Sequence, residues 1–138
     1  MKSLKKVVLV ALATSTLAFG HGDVVPHSVE TKGLANVADD VIVNPFRGNE
    51  KAIEIGKGAY NTNCARCHGL GAVSGGVAPD LRALDAGDDD IDEYFVTKVI
   101  EGAVRNGNVY MPPFGEVLSP AAIWSIRSWV ETLPTDDL

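Results

Sequence analysis

The chain has 138 residues, and 46% of them are hydrophobic, which is enough for one compact domain with a hydrophobic core. Its formal net charge of −6 excludes a typical nucleic-acid-binding protein, because such a protein needs basic residues to contact phosphates. An acidic surface keeps a protein soluble and can also steer it toward a basic patch on a partner.

Residues 1–20 have the order of parts found in a signal peptide. Three lysines near the start precede an apolar run over residues 7–19, and Ala18-Phe19-Gly20 supplies the small residues of a cleavage site. A membrane anchor is the competing interpretation, but crossing a membrane takes about 20 apolar residues and this run is shorter. We therefore predict export to the periplasm, cleavage before His21, and no membrane span in the mature chain.

Residues 21–49 predict an extended arm that lies on the domain, since Gly, Pro, Asp, Val and Asn follow one another there without a steady period. The domain itself is expected over residues 50–138. Its first helix is predicted from Glu50 to Asn61 with Asn49 as its cap, and it leads the chain to Cys64. One face of this helix carries Ala52, Ile55, Gly56, Ala59 and Tyr60.

Residues 69–87 predict a loop, because five glycines and Pro79 interrupt any regular element. The next helix is predicted to start within the run 88–90, where Asp90 and Glu93 have the spacing of a capping box. Gly102 is its predicted stop. Its buried face is expected to carry Phe95, Val96, Val99 and Ile100.

A second loop is predicted over residues 103–118, with a turn at Asn106-Gly107 and two prolines after Met111 that forbid a helix. The last helix begins at Ser119-Pro120, a cap followed by a first-turn proline, and Pro134 ends it. Because no segment alternates as a strand does, the predicted fold class is all-α with long loops. The last helix presents an apolar stripe of Ile123, Ile126, Val130 and Leu133, with Trp129 beside it.

The segment Cys64-Ala65-Arg66-Cys67-His68 carries the strongest chemical signal. Two cysteines in an exported chain would ordinarily predict one disulfide, because the periplasm is oxidising. Here a histidine follows directly, and two thiols three residues apart can each form a thioether with a haem vinyl group while His68 binds the iron. The pattern therefore predicts one covalently attached haem c, held by Cys64 and Cys67.

Two other uses of the cysteine pair are weaker. A thioredoxin-like redox pair lies at a helix start after a strand, and no strand pattern precedes Cys64. A structural zinc site needs two further ligands, for which only His21 and His27 remain in the mature chain.

The second axial ligand decides whether the iron carries electrons or binds small ligands. Met111 is the only methionine of the mature chain, it lies in a rigid Met-Pro-Pro segment, and its thioether would raise the reduction potential. A core methionine that fills a gap is the ordinary alternative. Bis-histidine ligation by His21 or His27 and a five-coordinate iron with an open site also stay open.

Two further residues are candidates for supporting the haem. The carbonyl of Pro79 can accept a hydrogen bond from the second ring nitrogen of His68, although a turn-forming proline is equally consistent. Arg82 can pair with a haem propionate, and a solvated arginine is its ordinary alternative.

These motifs, with Gly56 and Tyr60 in the first helix and Trp129 in the last, resemble a class I cytochrome c over residues 50–133. The resemblance implies the cytochrome c fold, with three main helices packed around one covalently bound haem. It implies that the first and last helices cross where Gly56 admits Trp129. It also implies that Met111 is the distal ligand and that the carbonyl of Pro79 accepts from the haem histidine.

A narrower resemblance covers nearly the whole mature chain. Residues 21–24 (HGDV), 31–34 (TKGL), 78–82 (APDLR) and 102–105 (GAVR) are similar to the cytochrome c550 group, which includes relatives of cytochrome cL. That group accepts electrons from pyrroloquinoline quinone (PQQ)-dependent alcohol dehydrogenases. The resemblance implies an electron carrier rather than an enzyme, reduced by such a dehydrogenase and reoxidised by a terminal oxidase or another cytochrome. We expect a monomer.

Two rival functions are compatible with the same residues. A haem enzyme or sensor would need an open distal site with an acid or base, and no mature histidine is placed for that role. A dedicated cytochrome subunit of a dehydrogenase complex would use the 21–49 arm as a tether.

Overall fold

The computed structural model describes residues 25–136. The predicted signal peptide, its cleavage site and the alternative ligand His21 lie outside the described residues. Residues 25–49 form the arm, which contains turns but no helix or strand, as the sequence predicts. Val29, Leu34, Val37 and Val41 of the arm pack against the core, so the described part of the arm lies on the domain.

Helix α1 spans Glu50–Asn63, two residues beyond the predicted end. Its cap is Asn49, as predicted, and the Asn49 Oδ1 atom accepts from the Ala52 backbone N–H at 3.1 Å. The predicted face is buried at Ala52, Gly56, Ala59 and Tyr60. Cys64 ends α1, and a single-turn helix, α2, follows over Ala65–His68.

Helix α3 spans Asp89–Glu101. Its cap is Asp88, whose side chain accepts from the Ile91 backbone N–H at 3.1 Å, so the predicted capping box of Asp90 and Glu93 is wrong. Three aspartates crowd the start, and the local pattern could not tell which of them leaves the helical conformation. Gly102 ends the helix with a φ of +71°, as predicted.

A β-hairpin follows α3, and its presence corrects the prediction of a purely helical fold. Strand β1 spans Ala103–Arg105, and strand β2 spans Asn108–Met111 in antiparallel pairing. The predicted Asn106-Gly107 turn joins them, and both of its residues have positive φ angles, as a type I′ hairpin turn requires. Strands this short leave too little alternation in the sequence to be recognised.

Helix α4 spans Pro120–Val130 and has the predicted cap, because the Ser119 side chain accepts from the Ala122 backbone N–H at 3.2 Å. All residues from 121 to 130 are buried, so α4 is enclosed on every side rather than along one stripe. The helix ends at Val130, before Leu133, which lies in the following turn and is only partly buried.

Helices α1 and α4 pack together, as the resemblance implies. A Cβ atom on Gly56 would lie 1.8 Å from the carbonyl oxygen of Ser125, so glycine is required for the two backbones to touch. The resemblance implies instead that Gly56 admits Trp129. In the structure Trp129 packs against Tyr60, one turn further along α1, with ring centroids 4.6 Å apart. The packing of the first and last helices is therefore confirmed, and the backbone of α4 at Ser125 lies nearest to Gly56.

A buried polar network connects the arm to α3 and α4. The fully buried Asp92 carboxylate accepts from Arg127 Nε at 2.8 Å and from the Asn44 backbone N–H at 2.8 Å. Arg47 of the arm donates to the same carboxylate at 2.6 Å and also approaches Glu131. The arm is thus tied to the domain by charged groups that are satisfied inside it.

Within residues 25–136, no helix combines the length and the apolar character needed to cross a membrane.

Candidate haem site

Cys64, Cys67 and His68 lie on one turn of backbone between α1 and the following loop. The backbone N–H groups of Cys67 and His68 both donate to the Cys64 carbonyl, at 3.1 and 3.0 Å. Cys64 leaves the α1 geometry, with φ at −116°, so the chain turns into the short α2 at this residue. The structure therefore brings the three residues of the predicted attachment segment together on a compact local scaffold.

Both thiols are free and half-buried. Burial, followed by the nearby Cys67, raises the pKa of the Cys64 thiol to about 12. A raised pKa keeps Cys64 protonated at neutral pH, whereas a thioredoxin-like pair relies on a thiol with a lowered pKa. The raised pKa of Cys64 therefore argues against a thioredoxin-like pair.

His68 is buried, and its Nδ1 atom lies 2.8 Å from the carbonyl oxygen of Pro79. Because a carbonyl can only accept, Nδ1 carries the proton and donates. In this tautomer the lone pair of Nε2 is available to bind a metal ion. The hydrogen bond from Nδ1 also fixes the orientation of the ring. The hydrogen bond expected from the sequence is therefore present in the structure.

The loop that presents the Pro79 carbonyl is held by Asp80. The Asp80 carboxylate accepts from the Ser74 backbone N–H at 3.2 Å and from Arg82 through Nε at 3.0 Å and Nη2 at 2.9 Å. These hydrogen bonds, chiefly those from Arg82, hold the pKa of Asp80 well below its usual range. Asp80 and Arg82 thus bind each other, and Asp80 also holds the loop at Ser74.

Arg82 is buried, so the alternative that it is a solvated surface arginine is wrong. Its Nη1 atom also reaches the carbonyl of Pro134, near the end of the described chain, at 3.4 Å. The guanidinium therefore connects the Pro79 loop to the segment after α4.

A close backbone approach at Gly69 and a hydrogen bond from Tyr60 shape the turn that follows His68. A Cβ on Gly69 would lie 1.8 Å from the Val73 carbonyl oxygen, so the chain can fold back after His68 only through glycine. The Tyr60 hydroxyl donates to the Gly69 carbonyl at 2.8 Å and secures this turn from α1. The sequence places Tyr60 on the buried face of its helix but does not predict this hydrogen bond, because a contact across nine residues leaves no periodic signal.

Met111 is half-buried at the end of β2 and packs against the same core as Cys64. The following segment is fixed to the end of α3, since the Phe114 backbone N–H donates to the Val99 carbonyl at 2.9 Å. Gly102 makes this possible, because a Cβ there would lie 2.4 Å from the Met111 carbonyl oxygen. The sequence identified Gly102 only as a helix stop, and its contact with the methionine segment was missed.

The donor set of this site fits a haem c. Two free thiols on one turn can form the two thioethers, and His68 offers the lone pair of Nε2, the ring nitrogen that does not donate to Pro79. Among residues 25–136, no three His, Cys, Asp or Glu side chains are grouped to hold a metal ion.

A helical domain with such a turn defines a class of protein, the c-type cytochromes. The chain belongs to this family: residues 51–130 match the family model described as cytochrome C oxidase, cbb3-type, subunit III. Members of the family carry covalently bound haem c and act in electron transfer, so this chain is a class I c-type cytochrome and not an enzyme.

Among curated proteins, the chain is 48% identical to cytochrome c550 of Pseudomonas aeruginosa, over 95% of this chain and 93% of that one. It is 31% identical to the quinohemoprotein alcohol dehydrogenase ADH IIB of Pseudomonas putida, over 70% of this chain but 13% of the dehydrogenase. It is 29% identical to the cbb3-type cytochrome c oxidase subunit FixP of Sinorhizobium medicae, over 71% of this chain and 35% of the subunit. No solved structure matched the chain.

Proposed function

We propose that this protein is a periplasmic mono-haem carrier of single electrons, with its haem iron held between His68 and Met111. The observation that carries the proposal is the turn Cys64–His68, where two free thiols adjoin an imidazole whose Nδ1 is engaged by Pro79. The haem supplies a one-electron change of its iron, and no substrate bond is made or broken. The chain's own task is to hold the group, exclude water and present it to partners.

Covalent attachment belongs to Cys64 and Cys67 in this proposal. The Cys67 backbone N–H donates to the Cys64 carbonyl at 3.1 Å, which fixes the spacing of the two residues before attachment. His68 then has its orientation set by Pro79, and the Asp80–Arg82 pair keeps the Pro79 loop in place. We thus propose Arg82 as a positioning residue. We also propose that its guanidinium contacts a haem propionate. We further propose that the three longer helices, α1, α3 and α4, pack around the haem.

Met111 is proposed as the second axial ligand. It is carried by β2 and held by the Phe114–Val99 hydrogen bond, so the thioether is presented from an ordered backbone. A ligand that stays bound in both oxidation states lets an electron pass with little structural change. Met111 is half-buried and packs against the core, and the Met111→Ala spectrum separates an axial ligand from a core methionine that only fills a gap.

The proposed donor is a PQQ-dependent alcohol dehydrogenase, and the proposed acceptor is a terminal oxidase or another cytochrome. Support comes from the relatives, since similar domains occur within proteins named as quinohemoprotein alcohol dehydrogenases and as cbb3-type oxidase subunits. We also propose that residues 1–20 direct export and are removed, and that the mature protein is a monomer.

The proposal is tested by absorption spectroscopy of protein matured in a host that attaches haem c. We expect sharp low-spin bands and the weak far-red band of methionine-ligated ferric haem. Replacement of Met111 by Ala should abolish the far-red band, lower the reduction potential and permit carbon monoxide binding. A wild-type protein with a high-spin spectrum, or a Met111→Ala variant with unchanged spectrum and potential, would contradict the ligation.

A further inference from the structure

A cavity lies where the arm meets α3 and α4, and we call it the arm cavity. Its volume is about 250 Å³. A cavity of about 150 Å³ with aliphatic walls is already large enough to bind benzene, so this one can hold a small organic molecule. The residues of the candidate haem site do not line it. Its walls are mainly apolar side chains, contributed by Val41, Val96, Ile100, Leu118, Ile123 and Trp124.

One polar atom of the cavity wall has no hydrogen-bond partner. The Trp124 side chain is fully buried, and its Nε1 atom is the one buried side-chain nitrogen or oxygen within residues 25–136 that lacks a hydrogen bond. A buried indole N–H usually has an acceptor, because leaving the donor unpaired is costly. By contrast, the buried Ser125 hydroxyl in the same helix donates to the Ala121 carbonyl at 2.7 Å. Because the Trp124 indole lines the arm cavity, we infer that its acceptor is a molecule bound there.

The walls restrict the chemistry of that acceptor. A carboxylate would be buried against apolar side chains without compensation, and the exposed Asp39 carboxylate at the cavity would repel it. An ammonium group has no lone pair to accept from the indole N–H. A carbonyl oxygen accepts without bringing a donor of its own, whereas a hydroxyl group or a water molecule brings protons that apolar walls leave unbonded. The wall therefore favours an uncharged carbonyl compound.

We propose that the arm cavity binds a small uncharged aldehyde or ketone, whose oxygen accepts a hydrogen bond from Trp124 Nε1. Sites for small molecules commonly combine apolar walls with a few placed polar groups. The arm takes part in the site, because Val41 forms one wall and Asn44, three residues later, is bonded to α3 and α4. This ligand site goes beyond electron transfer and does not depend on the identity of the electron donor or acceptor.

The experiment titrates the reduced, haem-loaded protein with cyclopentanone and follows the two tryptophan indole N–H resonances by NMR. The variants Trp124→Phe and Trp129→Phe assign these resonances. We expect the Trp124 resonance to move downfield and to saturate with a Kd of about 1 mM, while the Trp129 resonance stays in place. A Trp124 resonance that shows no saturable shift up to about 50 mM would mean that water alone satisfies the indole, and would overturn the inference.

Trp124→Phe also tests the chemical class of the ligand, because it keeps an aromatic ring and removes the donor. Binding to this variant is followed through the methyl resonances of Val96 and Ile100, which line the cavity. We expect cyclopentanone to bind about fivefold more weakly, since one hydrogen bond is lost. Binding of cyclopentane, the same ring without the oxygen, should change by less than about twofold. Equal weakening of both ligands would show that Trp124 acts through packing alone and that a carbonyl is not recognised.

Trp129→Phe is the matched control for the loss of an indole. Trp129 belongs to the same helix but does not line the arm cavity. The variant should therefore bind cyclopentanone with the wild-type Kd. A weakening equal to that of Trp124→Phe would assign the effect to the packing of α4 and contradict the proposed hydrogen bond.

Ile100→Phe tests the location of the ligand in a protein that keeps Trp124. Ile100 lines the cavity and is 39% exposed, so a larger ring can fill the cavity from its surface side. The variant should abolish the saturable shift, whereas Ile42→Phe, at an exposed residue outside the cavity lining, should keep it. Undiminished binding to Ile100→Phe would place the ligand elsewhere and contradict the inference. A wild-type protein that binds cyclopentanone but lacks the spectrum of a methionine-ligated haem would contradict the proposed function and leave the arm cavity supported.

Discussion

Gly102 is a residue whose missing side chain holds the methionine segment in place. Its φ is +71°, and a Cβ atom would lie 2.4 Å from the Met111 carbonyl oxygen and 2.8 Å from the Pro112 carbonyl carbon. We predict that Gly102→Ala displaces Met111, weakens or removes the far-red methionine band, and lowers the reduction potential. Spectroscopy and potentiometry of the haem-loaded variant check this.

Gly107 provides the matched control for that prediction. It also has a positive φ, of +79°, but a Cβ there would have no heavy atom within 4 Å. Gly107→Ala should therefore cost only the conformational strain, about 1 kcal/mol of unfolding free energy, with an unchanged spectrum. Equal spectral effects from the two variants would show that Gly102 acts through backbone strain and not through contact with Met111.

Asp80 contributes pH-dependent stability through its pair with Arg82. Its pKa is lowered in the folded protein, so its contribution is present above the unfolded pKa of about 3.9 and is lost as pH falls toward the folded value. We predict that Asp80→Asn lowers the unfolding free energy at pH 7 by about 2 kcal/mol. The difference from wild type should narrow below about pH 4.

Denaturant unfolding at several pH values measures this difference. Asp85→Asn is the control, because Asp85 is exposed and only its backbone carbonyl is used, by Arg127. A difference between wild type and Asp80→Asn that stays constant down to pH 2 would contradict the ionic origin of the stabilisation.

Helix α1, which packs against α4, contains two glycines that differ in their surroundings. Gly56 faces the Ser125 carbonyl oxygen, at 1.8 Å from a built Cβ, whereas Gly58 has open space. We predict that Gly56→Ala separates the helices and destabilises the fold by about 3 kcal/mol, since neither backbone can yield. Gly58→Ala should stabilise it by about 0.5–1 kcal/mol through helix propensity. Thermal unfolding of the two variants decides between contact and propensity.

The elements that the sequence could predict are those specified by neighbouring residues. The caps Asn49 and Ser119 and the stop at Gly102 were all confirmed, because a cap involves residues only a few positions apart. The cap of α3 was misplaced by two residues, since three consecutive aspartates are locally equivalent. The hairpin was missed as a sheet, although its Asn106-Gly107 turn was identified.

The candidate site shows the same division. The attachment residues Cys64, Cys67 and His68 lie within five consecutive positions, so the pattern can be recognised from the sequence alone. The contacts that fix the site join residues that are distant in sequence. Tyr60 binds Gly69, and Gly102 contacts the backbone of Met111. Such contacts depend on which elements meet in space, and a single sequence does not contain that information.

The molecule as a whole is closed by its arm. Asn44 lies 48 residues before Asp92 in sequence and 84 before Ser128, and it bonds to both. The network it completes contains Arg127 and Asp92, each fully buried, so their charges must be satisfied within the protein. An arm that only tethered the domain to a partner would not be expected to complete its interior.

We therefore predict that the arm is a structural strap, and that Asn44→Ala lowers the unfolding free energy by about 2 kcal/mol by removing the bonds of its side chain to Ser128 and to the Phe46 N–H. Hydrogen exchange at residues 25–49 should accelerate, because the arm loses its anchor. Asn108→Ala, in the exposed hairpin, is the control and should change neither quantity. Reduction by the dehydrogenase should keep its wild-type rate in the strap variant, since Asn44 contacts no residue of the candidate haem site. Loss of a stable complex with the dehydrogenase, at unchanged stability and exchange, would instead identify the arm as a tether.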